Sequence, residues 1–391
     1  MGPPRRRLGE PIQEAVEAWL STLDVPDGQR KDDWFETLVR TVPRRFTVYE
    51  PMVLLPTGSF DGEAWKAELR RQDADSLAAL WTGILREVAT RRGGEERTTL
   101  THLAINEAIP RHDGGPNGGE ENILRAPVGL RVLWGDFGPD EHDNDDEGFD
   151  DALWVSTKQN AILQTWAPRW TMFSRGNVKE KARLLRFPSA SAESCCWAVD
   201  LYAGIGYFAF SFVALGMRVL CWEINQWSVE GLRRGARANG WNVRVVRGLE
   251  LGLAPADLLA GGEEMIVFLE SNEAALSRIS QWQSLGLVRR VEHVNCGFLP
   301  TSERTWSSAW QMTRLHPDAS WLHLHENVSV DGIEARRQAV QRLVDDWSAS
   351  DGGGRTSTVD HVERVKTFAP GVWHCVFDVR INVAQTNDTW Q

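Results

Sequence analysis

The chain has 391 residues and a formal net charge of −11. That length suits two or three domains with a large buried core. No apolar run approaches the roughly 20 residues of a membrane-spanning helix, so neither a span nor a membrane partner is expected. Arginines near the start have no apolar stretch behind them, so no secretory leader is expected either. The five cysteines, Cys195, Cys196, Cys221, Cys296 and Cys375, form no C-x-x-C pair. They read as small buried hydrophobes in a reduced, cytoplasmic protein, and no metal is expected. The negative charge has one main source. Nine acids and no lysine or arginine fall between Asp136 and Asp151, and without them the chain is near −2. This run predicts a solvated loop. Arginine pairs and clusters elsewhere, such as Arg44 with Arg45 and Arg233 with Arg234 and Arg237, leave room for a local basic face.

In chain order, residues 10–23 predict an amphipathic helix, because Ile12, Ala15, Val16, Trp19, Leu20 and Leu23 recur on one helical face. Residues 43–60 predict extended segments turning at Pro43, Pro56 and Gly58. The Gly-rich stretch 112–122 predicts a loop. A first region of α+β character is expected to end near residue 151, and 152–188 reads as a connecting segment. From residue 197 the pattern becomes strand, turn, helix. Strands are expected at 197–202, 217–223, 265–270, 289–297 and 320–326, each followed by a helical stretch. Asp331 and Glu334 suggest a capping box for the last helix. Residues 358–368 and 372–383 are consecutive strands split by Ala369-Pro370-Gly371. The second alternates strictly through Trp373, Cys375, Phe377, Val379, Ile381 and Val383. A parallel, doubly wound α/β sheet finished by an antiparallel hairpin is the layout of the class I, Rossmann-like S-adenosylmethionine-dependent transferases.

The chemistry concentrates at Asp200-Leu-Tyr-Ala-Gly204-Ile-Gly206-Tyr-Phe, a Gly turn between a strand and a helix. Glycines let backbone approach a ligand, and a helix N-terminus favours a carboxylate. Glu223 ends the next strand, where a carboxylate accepts ribose hydroxyls. Gly204, Gly206 and Ala209 also fit the dinucleotide fingerprint G-x-G-x-x-G/A. Asp200, four residues before the first glycine, and the closing hairpin favour S-adenosylmethionine instead. His323 and His325 share a strand face but have no evident third metal ligand.

Taken with these motifs, the chain resembles the tRNA wybutosine-synthesizing protein 2 family across residues 34–383. The resemblance rests on blocks in the family's order. They are Val42-Pro-Arg-Arg-Phe46 with Val53-Leu-Leu-Pro-Thr-Gly-Ser-Phe60, Met172-Phe-Ser-Arg-Gly-Asn-Val-Lys-Glu-Lys-Ala-Arg183, and the Asp200–Phe208 motif. Next come Asn295-Cys-Gly-Phe-Leu-Pro-Thr-Ser-Glu303, Trp321-Leu-His-Leu-His-Glu-Asn-Val328 and Val365-Lys-Thr-Phe-Ala-Pro-Gly-Val-Trp-His374.

The resemblance implies transfer of the 3-amino-3-carboxypropyl group of S-adenosylmethionine to C7 of 4-demethylwyosine at position 37 of tRNA-Phe. The by-product is 5′-methylthioadenosine. It further implies that Ser174 and Lys181 hold the cofactor's methionine carboxylate and that Glu223 holds its ribose. Ser271 and Asn272 match the family's acidic-Asn pair at the adenine; the chain departs by reading Glu-Ser-Asn-Glu there, which makes Glu270 the alternative to Ser271. Residues 242–264 are longer than the family pattern. His325 and Glu326 are candidates to line the base pocket. Asn295 opens a block where related base methyltransferases carry Asn-Pro-Pro-type motifs, and Asn-Cys-Gly-Phe-Leu-Pro disfavours amino-group methylation. Two alternatives stand beside this reading: a tRNA guanine-N1 methyltransferase of the same fold, and a tRNA-binding subunit without catalysis. The expected division is 1–151 on the tRNA side and 152–391 as the cofactor-binding catalytic domain.

Overall fold

Side chains of a strand alternate between two faces, and several strands of this chain are apolar at both parities. On the strand Cys196–Asp200, Trp197 and Val199 join one core while Cys196 and Ala198 join another. The same split separates Leu220 and Trp222 from Val219 and Cys221, and Ile266 and Phe268 from Met265 and Val267. Strands buried on both faces need a layer on each side, which is the physical basis of a parallel sheet sandwiched between helices.

The structure is a computed structural model and describes residues 10–92, 99–106, 127, 129–139, 148–188, 196–352 and 354–383. Arg5 to Arg7, Cys195, the Gly-rich stretch 112–122 and residues 140–147 of the acidic run lie outside these. The chain divides into two compact units, Met1–Thr157 with Ala167–Met172, and Lys158–Trp166 with Phe173–Gln391.

The first unit holds helices α1 (Pro11–Leu20), α2 (Lys31–Arg40), α3 (Glu63–Arg71) and α4 (Ala74–Arg92). They accompany a four-stranded sheet of β1 (Thr47–Tyr49), β2 (Met52–Leu55), β3 (His102–Ile105) and β4 (Arg131–Trp134) in that order. Helix α1 buries Ile12, Ala15, Val16, Trp19 and Leu20, the face that the spacing predicts. Trp19 stacks on Trp65 at 6.3 Å, and Phe60 meets Trp65 edge-on at 4.7 Å.

In chain order after β4 come β5 (Val155–Gln159), β6 (Ile162–Trp166), α5 (Val178–Leu184), β7 (Cys196–Asp200), α6 (Ala209–Ala214), β8 (Arg218–Glu223) and α7 (Gln226–Ala238). Then follow β9 (Val243–Val246), α8 (Pro255–Leu259), β10 (Met265–Leu269), α9 (Ala275–Ser284), β11 (Arg290–Cys296) and α10 (Trp306–Met312). The last elements are β12 (Ser320–Ser329), α11 (Ile333–Ser350), β13 (Arg355–Ala369) and β14 (Val372–Val383).

The second unit's eight-stranded sheet has the order β13-β14-β12-β11-β7-β8-β10-β9. Strands β12, β11, β7, β8, β10 and β9 are mutually parallel, while β14 runs antiparallel between β12 and β13. This is the doubly wound class I sheet with its closing hairpin. Several details depart from the sequence reading. Strand β9 and helix α8 lie inside the long 242–264 stretch, and β9 adds a parallel edge beside β10. The segment 152–188 is structured rather than a plain connector. The capping box does not form: a 3₁₀ turn, Val330–Gly332, precedes α11, its N-cap is Gly332 without a side-chain cap, and Glu334 bonds Arg337 and Gln338. Arginine competes for that carboxylate at i+3.

One half of the sheet breaks the apolar rule on one face. Cys375, Phe377, Val379 and Ile381 of β14 join the large apolar core. Their opposite-face neighbours His374 and Asp378 are buried too, as are His293, Asn295, His323 and His325 on β11 and β12. Arg183 of α5 donates to both Asp378 oxygens and to Glu180 at 2.6 and 2.9 Å. His323 Nδ1 donates to Asp378 Oδ1 at 2.7 Å, and His293 Nδ1 then donates to His323 Nε2 at 3.0 Å. Burial pushes the Glu180 carboxyl up, whereas His323 and Arg183 outweigh burial and hold Asp378 down. Removing Arg183 strands two buried carboxylates. Arg183→Met is expected to destabilise the fold by about 3–5 kcal/mol, the usual cost of breaking a buried pair from one side. Urea denaturation measures it, and a change below about 1 kcal/mol would remove this network from the fold's supports.

Candidate cofactor site

Strand β7 ends at Asp200, and residues 201–207 wind back as a tight loop before α6. Gly204 and Gly206 sit at φ of 52° and 82°, backbone that suits glycine. A Cβ on Gly206 would lie 2.4 Å from the Phe210 ring, so the position also excludes any side chain sterically. Helix α6 spans only six residues. Its dipole is therefore too short to carry the carboxylate binding that the strand-turn-helix pattern suggests.

Each expected cofactor residue except Ser271 is bonded to this loop directly or through one side chain. Asp200 Oδ1 accepts from the Tyr202 amide at 3.3 Å. Glu223 Oε2 accepts from the Gly204 amide at 2.8 Å, and Oε1 accepts from the Ile224 and Asn225 amides at 2.9 and 2.8 Å. A carboxylate has about four acceptor positions, so one remains on Oε2 for a ribose hydroxyl. Burial pushes the Glu223 carboxyl up, and the three amides oppose it. Asn272 Nδ2 donates to the Leu201 carbonyl at 2.8 Å. Ser174 donates its amide to the Tyr207 hydroxyl at 3.0 Å. Lys181 donates to Gln164, whose Nε2 donates to the Gly206 carbonyl at 3.2 Å. Ser271 stands exposed at the end of β10, accepting from the Glu273 amide. Glu270, its alternative, receives Arg278 on both oxygens at 2.6 and 2.9 Å and the Trp222 indole at 3.1 Å. That leaves Ser271 and Asn272 as the groups open to a ligand there.

Lys181 is 4% exposed. Its ammonium bonds Gln159 Oε1 at 2.9 Å and Gln164 Oε1, and lies 5.0 Å from the Phe173 ring centroid and 5.2 Å from that of Tyr207. Among the described residues no carboxylate pairs with it. Burial first, and the Lys366 charge second, bring its pKa down to about 7. Sequence reasoning missed Gln159 and Gln164, which short strands of a supposed connector carry with no motif to mark them. Tyr207 lay inside the glycine motif but was read only as part of its pattern.

Behind the loop runs a buried relay. Asn295 Nδ2 donates to Asp200 Oδ1 at 2.9 Å, and His325 Nε2 donates to Asn295 Oδ1 at 3.1 Å. Neutral His325 must then accept on Nδ1, from His374 Nε2 at 2.9 Å. The donors all point toward Asp200, whose pKa burial raises to about 6 while Asn295 opposes the rise. Burial holds His325 well below its ordinary value, so it stays neutral. His325 is fully buried and Glu326 is paired with Arg336 at 2.6 Å, so neither lines an open base pocket as expected. Asn295 is likewise consumed internally.

A second cluster, Cys196, Glu292 and His316, has metal-ligand chemistry at the opposite ends of β7 and β11. His316 Nδ1 accepts from the Asp318 amide at 3.2 Å, which puts the neutral ring's proton on Nε2. Nε2 then offers no lone pair, and the trio does not fit a metal.

No family model matches the chain. It is 40% identical over 346 residues to tRNA wybutosine-synthesizing protein 2 of Schizosaccharomyces pombe, covering 86% of this chain and 72% of that one. It is 33% identical over 380 residues to the protein of the same name from Saccharomyces cerevisiae, covering 89% and 76%. A crystal structure of Pyrococcus horikoshii TYW2 in complex with MeSAdo superposes with a TM-score of 0.56 at 16% identity, covering 95% of this chain and all of that one. Glu223→Ala is expected to weaken S-adenosylmethionine binding by about 1–3 kcal/mol, the cost of losing a charged hydrogen-bond partner. Calorimetry reads this, and unchanged affinity removes Glu223 from the ribose site.

Proposed function

The chain belongs to the tRNA wybutosine-synthesizing protein 2 family, and from that premise we propose which bond it makes and which residues guide it. It is an S-adenosylmethionine-dependent transferase of wybutosine biosynthesis that acts on tRNA and moves the 3-amino-3-carboxypropyl group. The proposed acceptor is C7 of 4-demethylwyosine at position 37 of tRNA-Phe. The ring carbon attacks the γ-methylene of the methionine arm in line with the C–S bond. A C–C bond forms, the C–S electrons return to sulfur, and methylthioadenosine leaves. The ring then loses the C7 proton, so no base has to act before the attack.

The choice among three sulfonium carbons is a matter of orientation, and near-attack geometry decides it. The observation that supports the reading is Lys181, a buried ammonium without a counter-ion among the described residues, tied through Gln164 to Gly206. In the proposal Lys181 and Ser174 take the arm's carboxylate, Glu223 takes the ribose, and Ser271 with Asn272 face the adenine. Fixing the arm at one end and the adenosine at the other turns the γ-methylene outward. The internal use of Asn295 speaks against the guanine-N1 methyltransferase, since that side chain is not free to hold a base. We place the tRNA-facing surface on the first unit. The cytoplasmic setting belongs to the same proposal; it is supported by buried Cys196, Cys221, Cys296 and Cys375, none of them in a disulfide. No helix among the described residues is long and apolar enough to cross a membrane.

Mass spectrometry of tRNA nucleosides after incubation with S-adenosylmethionine tests the reaction. tRNA-Phe bearing 4-demethylwyosine is expected to gain the aminocarboxypropyl group; a gained methyl group, or no gain, contradicts it. Lys181→Ala is expected to slow single-turnover transfer about ten- to a hundredfold at saturating cofactor, from a contact worth roughly 1.5–3 kcal/mol. A parental rate leaves Lys181 no role in the step. A carboxylate also favours the charged lysine. Below pH about 7 the ammonium is already charged; above it, binding must recruit a proton. S-Adenosylmethionine affinity is therefore expected to fall as pH rises from 7 to 9, with a shallower fall in Lys181→Met. Methylthioadenosine, which has no carboxylate, is expected to show no slope in the same titration.

A further inference from the structure

Lys366 lies on β13 directly opposite His374 of β14. It is half-buried, and its ammonium donates to Ser174 Oγ at 2.5 Å. Ser174 Oγ in turn donates to Asn177 Oδ1 at 3.3 Å. The lysine's stem packs so closely on Gly176 that a Cβ there would lie 2.5 Å from its Cδ, which fixes the path of the side chain. No carboxylate pairs with Lys366 among the described residues; the nearby Glu363 is taken by Lys179 at 2.5 Å. His374 cannot neutralise it either. The relay to Asp200 uses the His374 proton on Nε2, and burial with the Lys366 charge holds its pKa at about 3, so the ring stays neutral.

Two ammonium groups thus stand on either side of one tyrosine–serine contact: Lys366 bonds the Ser174 hydroxyl, and Lys181 faces the ring of Tyr207, whose hydroxyl accepts from the Ser174 amide; among the described residues no carboxylate pairs with either. Lys181 reaches the Phe173 and Tyr207 rings from α5, and Lys366 reaches Ser174 from the hairpin. Like charges held together out of water repel, and an anion placed between them removes both the repulsion and part of the burial cost. We propose that Lys366 is a second carboxylate ligand of the methionine arm, so that Lys181, Ser174 and Lys366 form a two-lysine clamp. This rests on the reading of the site as the S-adenosylmethionine site and adds a residue to it. The clamp engages the part of the donor that is transferred, since the carboxylate leaves with the aminocarboxypropyl group and is absent from methylthioadenosine. It therefore discriminates the donor from its own by-product.

The test compares three ligands by calorimetry on Lys366→Met and Lys366→Gln: S-adenosylmethionine, decarboxylated S-adenosylmethionine and methylthioadenosine. The expected result is a ten- to hundredfold loss for S-adenosylmethionine with the other two within about twofold of the parent. Unchanged methylthioadenosine affinity shows that the adenosine site is still folded. Equal losses for all three ligands overturn the proposal, because Lys366 then supports the fold of the site. No loss for any of them overturns it as well. The by-product of the parent enzyme is measured alongside. Adenosylhomocysteine in place of methylthioadenosine would sink the transfer reaction while leaving the ligand comparison intact. Methylthioadenosine without the ligand contrast would sink the clamp alone.

Discussion

A buried ammonium with no counter-ion among the described residues is the constraint around which this site is arranged. Lys181 has a pKa near 7 instead of 10.5, which at about 1.4 kcal/mol per unit sets on the order of 5 kcal/mol against its charged form. Folded proteins rarely bury lysine without a partner. Here the surroundings supply amide oxygens and aromatic faces, enough to hold the group but not to neutralise it. Two residues along α5, Arg183 is bound on both sides by Glu180 and Asp378. One turn of helix therefore carries a saturated cation that pins it to the sheet and an unsaturated one that faces the glycine loop. Rigidity in the first gives precision to the second.

The two faces of the sheet divide the work. One face is apolar from β10 to β14 and supplies the bulk of the packing. The other, over β11, β12 and β14, carries four histidines, an asparagine and an aspartate, all buried. They resolve into two chains of hydrogen bonds. One ends on Asp378 and holds α5; the other ends on Asp200 and backs the glycine loop. His323 and His325 act as directional spacers, each donating on one nitrogen and accepting on the other. Such a layer is stable only when its bonds are made, so it fixes the relative register of β11, β12 and β14, and with them the hairpin that brings Lys366 to Ser174.

Much of the second unit was legible because its strands are short apolar runs separated by turn signals, and the Asp200–Phe208 motif marks the cofactor loop by the glycines it needs. Glu223 is singled out by position alone, at a strand end after the next helix, and its carboxylate accepts from the Gly204 amide of the loop. What stayed hidden has physical reasons. Strand β9, Val-Arg-Val-Val, is a four-residue edge strand with weak periodicity. Gln159 and Gln164 are ordinary polar residues whose role comes from contacts distant in sequence. His323 and His325 look alike on one strand face, yet they serve different chains, which only their partners on β14 and β11 reveal. The family blocks around residues 172–183 and 365–374 each contain a lysine that the fold draws toward the glycine loop, Lys181 beside the Tyr207 ring and Lys366 on Ser174, but nothing in the spacing says so.

A crystal structure with S-adenosylmethionine bound tests the central claim most directly, since the claim is a position for one carboxylate. That carboxylate is expected within about 2.7–2.9 Å of the Lys181 ammonium, the usual length of a charge-assisted bond, with the γ-methylene turned away from the glycine loop. A carboxylate resting elsewhere, with Lys181 still bonded only to Gln159 and Gln164, would contradict it.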